Sequence, residues 1–242
     1  MNKNIMILAG FAAYLFFWGL AVIVKGLGGN MIFCTFFLVI ACVLVPLLFT
    51  GKFKIALRKP QKKVLFYIGI IYLIFFSISG ILAEDIFNQI AKNNPDFEAI
   101  IKYLILFIPM SFGVTMYCFY LIPEIAEGLF GNKILKIILP VVTSGLSCGL
   151  SFFVDKLGSV EMFIVMGIMG MFYGIGYLLV KSFYVMWFFF FISMMVHTLA
   201  EGKYYNYSWF VLTFELVLFA AAASSWYFYK RILYRPLKNQ ND

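Results

Sequence analysis

Eight apolar runs, each close to the length that crosses a bilayer, leave this chain little choice of fold. They cover residues 5–24, 31–49, 64–83, 103–122, 134–154, 162–180, 183–199 and 209–229. A helical span needs about 20 such residues. In lipid every backbone N–H and C=O must be satisfied within the segment, which selects helices. The polar gaps between the runs are too short to hold a soluble domain. Composition agrees: 64% of the 242 residues are hydrophobic and 12% charged, against about 45–50% and about 25% in soluble domains. Water-soluble and disordered classes are excluded together. The expectation is an all-α, polytopic transmembrane helical bundle of about eight spans, one integral membrane domain over residues 1–242, with the lipid bilayer as its first partner.

The net charge of +8 would suggest nucleic acid in a soluble protein. Here its distribution says otherwise, and no nucleic-acid partner is expected. Lys52, Lys54, Arg58, Lys59, Lys62 and Lys63 fill the gap between runs two and three, and Lys230, Arg231, Arg235 and Lys238 follow run eight. Between runs three and four, Glu84, Asp85, Asp96 and Glu98 face Lys92 alone. Eight spans with both termini cytoplasmic put 14 Lys/Arg inside and 5 outside. Seven or nine spans would break that alternation, so the positive-inside rule favours eight. The outer loop 84–100 is long enough for a short interfacial helix. The first run is too long for a cleavable signal and lacks an A-x-A site, so it is read as a retained span. A cell membrane, of bacterial cytoplasmic type, is the expected location.

Small residues mark two helices. Gly145 and Gly149 form one G-x-x-x-G and Gly170 and Gly174 another. Such pairs let helix backbones approach closely, so packing of spans five and six is the expected role. No strand or soluble loop precedes these glycines, which excludes a phosphate-binding loop. Cys34, Cys42, Cys118 and Cys148 all lie in apolar runs, with no C-x-x-C pair and no nearby His. They are read as packing residues, and no metal, disulfide or cofactor is expected.

Ionisable groups at membrane depth carry the functional information. Glu215 lies about 10 Å below the outer end of span eight at 1.5 Å per residue. His197, the sole histidine, stands near the outer end of span seven, and Glu201 follows four residues later on the same helix face. His197, Glu201 and Glu215 are therefore candidates for one polar cluster near the outer leaflet. Glu124 and Glu127, three apart at the inner end of span four, share a face as well. Paired carboxylates can divide acid and base roles, or can sit at the interface beside Lys133 and Lys136.

The order of these features in the second half resembles the CPBP family, the CAAX-protease and bacteriocin-processing intramembrane proteins. An apolar helix ends in Pro-Glu-x-x-Glu-Gly-Leu-Phe at 123–130. The small-residue helix 144–153 follows, then Gly-rich GIMGMFYGIGYLLVKS and an apolar helix ending in His197. The resemblance covers about 103–201. It implies Glu-Glu-x-x-x-Arg, Phe-x-x-x-His and His-x-x-x-Asn/Asp motifs, in which a glutamate and histidines activate water to cut a peptide bond. Glu124 and Glu127 stand at the first motif, without the adjacent acid pair or the arginine. Cys148 and Phe152 occupy the Phe and His positions of the second, and His197 and Glu201 the third. One histidine of two is present. The expected function is a weakly or non-catalytic membrane factor that binds or handles a hydrophobic peptide or lipid-linked partner, as in bacteriocin immunity. If it cuts, Glu124 or Glu127 is the base and His197 positions water. The alternatives are an active intramembrane endopeptidase and, from another class, a small transporter or an assembly subunit docking another membrane protein.

Overall fold

The computed structural model describes residues 2–50, 88, 90–201 and 208–228. Among these the chain is helical, without strands. Run three, the lysine-rich gap before it and the basic tail lie outside the described residues. We label the helices α1 (Lys3–Gly26), α2 (Met31–Phe49), α3 (Phe97–Leu129), α4 (Leu135–Asp155), α5 (Val160–Val180), α6 (Phe183–Glu201) and α7 (Trp209–Phe228). Helices α1 to α5 are long and apolar enough to cross a membrane; α6 and α7 hold shorter apolar stretches. Residues 90–93 of the loop 84–100 are helical too.

Helices α1, α2, α3 and α5 start where a side chain can take over an orphan N–H. Asn2 accepts from Asn4 N at 3.1 Å, Asn30 from Ile32 N at 2.9 Å, Asp96 from Ala99 N at 2.6 Å and Ser159 from Met162 N at 3.3 Å. Asp96 sets the start of α3 six residues before the apolar run 103–122. The same helix continues through Pro123 to Leu129, giving 33 residues in all. It survives its prolines by changing register. Residues Thr115–Leu121 are π-helical, and the Ile122 N–H donates to Tyr117 O, five residues back. α2 does the same over Ile40–Leu44, just before Pro46. Proline lacks an N–H, and its ring collides with the carbonyl four residues back. A π-turn just ahead of it moves that carbonyl aside.

The π-segment of α2 lies against the α-helical half of α3 that precedes the second π-segment. A Cβ on Gly113 would stand 2.6 Å from Cys42 Cα, so α2 and α3 touch backbone to backbone there. Gly10 plays the same part for α1, where a Cβ would come within 2.5 Å of the Tyr117 hydroxyl. α4 and α5 form the tightest pair. A Cβ on Gly145 would lie 2.8 Å from Gly167 O, one on Gly149 2.8 Å from Phe163 O, and one on Gly170 2.8 Å from Ser144 O. At Gly174 it would lie 2.8 Å from Val141 Cα. Ser144 adds a buried interhelical hydrogen bond, its Oγ donating to Gly170 O at 2.9 Å.

Rings fill the space around these contacts. Phe119 stacks on Tyr173 at 4.5 Å and meets Phe190 edge-on at 5.0 Å, tying α3 to α5 and α6. Tyr14 packs on Trp18 and on Tyr117, both at 5.2 Å, tying α1 to α3. Each such pair contributes about 0.5–1.5 kcal/mol beyond its area. In lipid, where burial itself gains little between helices, packing of this kind carries the association.

The described helices run between two ends, with α2 and α3 parallel and each other consecutive pair antiparallel. Lys3 at the start of α1 meets Glu124 near the end of α3, and Lys181 just past α5 meets Glu127. At the opposite end the Trp209 indole donates to Glu98 Oε1 at 3.0 Å, joining the starts of α7 and α3. We call these the Lys3 end and the Trp209 end.

Candidate functional site

The paired carboxylates of α3 are held at the Lys3 end. Lys3 Nζ donates to Glu124 Oε1 at 3.1 Å, with both side chains about 40% exposed. Glu127 accepts from Lys181 Nζ and from the Tyr177 hydroxyl, the latter at 3.2 Å. Lys181 closes α5 in the left-handed region at φ 46°, a turn that ends the helix and brings the ammonium to α3. The lysines engaged are Lys3 and Lys181, rather than the Lys133 and Lys136 that sequence neighbourhood suggests. Lys181 had a sequence signal, being the first charge after a long apolar run. Lys3 had none, because a partner 121 residues away is set by helix packing.

The second-motif positions are filled by packing residues. Cys148 is fully buried, and Phe152 packs edge-on against Trp18 with ring centroids 6.1 Å apart. All four cysteines are free and buried. His197 lies in α6, which leaves the Lys3 end at Phe183. Fourteen residues at 1.5 Å each carry its backbone about 21 Å along the helix from that start. Direct proton transfer needs about 3 Å, or one water. The structure therefore brings Glu124 and Glu127 to one end of the bundle and takes the backbone of His197 toward the other. Glu201 ends the same helix, next to the main chain of Leu199, whose carbonyl accepts from Asn93 at 3.3 Å.

Glu215 is the buried charge-bearing group of the interior. It is fully buried on α7, and neither carboxyl oxygen has a hydrogen-bond partner among the described residues. α7 packs on α2 and on the first half of α3, and α6 packs on that same half of α3. The π-segment Ile40–Leu44 of α2, which holds the buried Cys42 at its centre, is among the elements packed on α7.

A second set of buried polar groups adjoins Cys42. The hydroxyls of Tyr14, Tyr117 and Thr115 are buried without a hydrogen-bond partner among the described residues. Beyond them, Cys118 Sγ lies 3.4 Å from Ser151 Oγ, which donates to Ser147 O at 2.9 Å. Sequence reading missed Tyr14, Tyr117 and Thr115, because a tyrosine or threonine in an apolar run is ordinary. The one available hint was the proline after each π-segment. Residues Gly145, Gly149, Gly170 and Gly174 lie in the α4–α5 contact, away from this interior. Among the described residues no three His, Cys, Asp or Glu side chains gather as metal ligands would. A shallow apolar cavity of about 160 Å³ lies between α2 and α7, lined by Phe36, Ile40, Leu44 and Leu218.

No family model matches this chain, nor does any curated protein or solved structure. Apolar helices of spanning length make it a helical membrane protein.

Proposed function

We propose an eight-span protein of a cytoplasmic membrane, CPBP-like in the order of its helices, that binds a hydrophobic peptide or lipid-linked partner without cutting it. Parity supports the span count. α2 ends at the Lys3 end, where Gly10 and Phe49 adjoin, and α3 begins at the Trp209 end. An eight-span chain would return through the one apolar run between them, 64–83. Charge supports the direction, since the lysine-rich gap and the basic tail would share the Lys3 side, taken as cytoplasmic.

The observation that carries the non-catalytic reading is the separation of the α3 acids from the backbone of His197. Glu124 and Glu127 are tied to lysines at one end, and His197 stands about 21 Å along α6. Phe152, at the position of the missing histidine, is packed on Trp18. The test is digestion of membrane-embedded peptides by the reconstituted protein. No cleavage is expected, from the parent or from Glu124→Ala. A product that disappears on Glu124→Ala or His197→Ala would establish the active endopeptidase instead.

One observation favours a second reading, a small transporter: Glu215 is fully buried on α7, which packs on the π-segment Ile40–Leu44. Non-helical register at membrane depth is tolerated where it lines a cavity or pathway. Flux through proteoliposomes that is lost with Glu215→Gln would support it, and flux unchanged by that substitution would remove it.

A further inference from the structure

Glu215 has a property that stands apart from both readings above. It lies six residues into α7 from Trp209, about 9 Å along the axis at 1.5 Å per residue. It is fully buried, with both oxygens unpartnered among the described residues. Among the described residues, the elements packed on α7 supply no counter-charge there. From α2 come Cys34 and Cys42; from α3 come Glu98, Lys102 and Tyr103. Lys102 is committed to Glu98 at 2.7 Å and lies over the Trp209 ring at 5.4 Å.

An ionised carboxylate in such a place would lack any compensating positive charge, and burying one costs far more than burying the neutral acid. The neutral acid is therefore the form suited to the packed bundle. Buried groups that carry protons stand on the helices around it. α7 packs on the π-segment that holds Cys42, and the buried rings of Tyr117 and Tyr14 lie 5.2 Å apart. These groups cross the bundle from α7 through α2 and α3 to α1. The π-segments supply the irregular backbone around them: Cys42 sits in the first, and Thr115 and Tyr117 in the second.

We propose that Glu215 is an exchangeable proton-binding site, loaded from the Trp209 end. The ligand is the proton: a carboxylate takes one up to become the acid, and returns it to water as the carboxylate. The site requires neither peptide binding nor transport, and holds whichever of those readings is right.

Hydrophobic carbodiimides test it directly, because they react with a carboxyl group in its protonated form and partition into lipid. The full chain in lipid vesicles would be treated with dicyclohexylcarbodiimide over a range of pH, and adducts mapped by peptide mass spectrometry. The expected result is an adduct on Glu215 whose formation rate falls about tenfold per pH unit above its midpoint, absent in Glu215→Gln. Two results would overturn the proposal. One is a Glu215 that stays unmodified in the folded protein at every pH yet reacts once the chain is unfolded in sodium dodecyl sulfate. The other is a Glu215 that reacts at a rate independent of pH. All of these measurements except the Gln control use the parent chain, so a variant that fails to fold does not decide the outcome.

Discussion

A carboxyl group at the centre of a membrane helix costs about 2.5–3.5 kcal/mol on insertion scales, and Glu215 has no described partner to offset it. Replacing a buried polar group with an apolar one of similar size is often neutral or stabilising. Glu215→Leu is accordingly expected to leave stability unchanged or raise it by about 1–2 kcal/mol, read as the thermal midpoint in detergent. A clear loss would mean that Glu215 holds a partner on which the fold depends. The Lys3–Glu124 pair gives the opposite lesson. With both side chains about 40% exposed, it falls in the class worth about 0–1 kcal/mol. Lys3→Ala is expected to shift the midpoint by less than about 1 kcal/mol, and a larger drop would show that the Lys3 end is more sheltered than the geometry gives. The depth of Glu215 was legible in the sequence, because an acid inside an apolar run must sit in the membrane. The packing of its helix on the segment that holds Cys42 was not, since nothing in either apolar run says which faces meet.

At the scale of helices, the close contacts of α4 and α5 depend on the absence of side chains at four positions. A Cβ at Gly145, Gly149, Gly170 or Gly174 would strike backbone atoms at 2.8 Å, and backbone cannot swing away as a long side chain can. Gly170→Leu is expected to cost at least about 1–3 kcal/mol, the usual range for overpacking, and to release the α4–α5 pair, read by protease accessibility of 156–159. Gly128→Ala, where a Cβ meets nothing within 4 Å, is the matched control and is expected to change little. Equal effects of the two would contradict this packing. The repeated G-x-x-x-G made this pair readable in advance, because close approach needs small residues at that spacing. The start of α3 was less legible. Hydropathy marks residue 103, whereas the Asp96 cap starts the helix at Phe97; hydropathy reports lipid contact and a cap reports the backbone. The π-segments were not legible as such. Apolar runs carry no mark of register, and Pro46 and Pro123 signal only that a helix must break, bend or shift.

For the whole molecule, two polar ends and the helices between them constrain what the chain can do. Cysteines placed at 54 and 235 are expected to react with membrane-impermeant reagent from one side, and one at 205 from the other. Labelling of 54 and 235 from opposite sides would contradict the eight-span arrangement. The central claim is that the carboxylates of α3 and the imidazole of α6 are not joined in one catalytic centre. Spin labels on Glu124→Cys and His197→Cys, in a chain whose native cysteines are replaced, measure it by electron–electron distance. The account expects a separation of about 20 Å or more, from fourteen residues of helix at 1.5 Å each. A population within about 10 Å, close enough for a water-bridged acid and base, would contradict it.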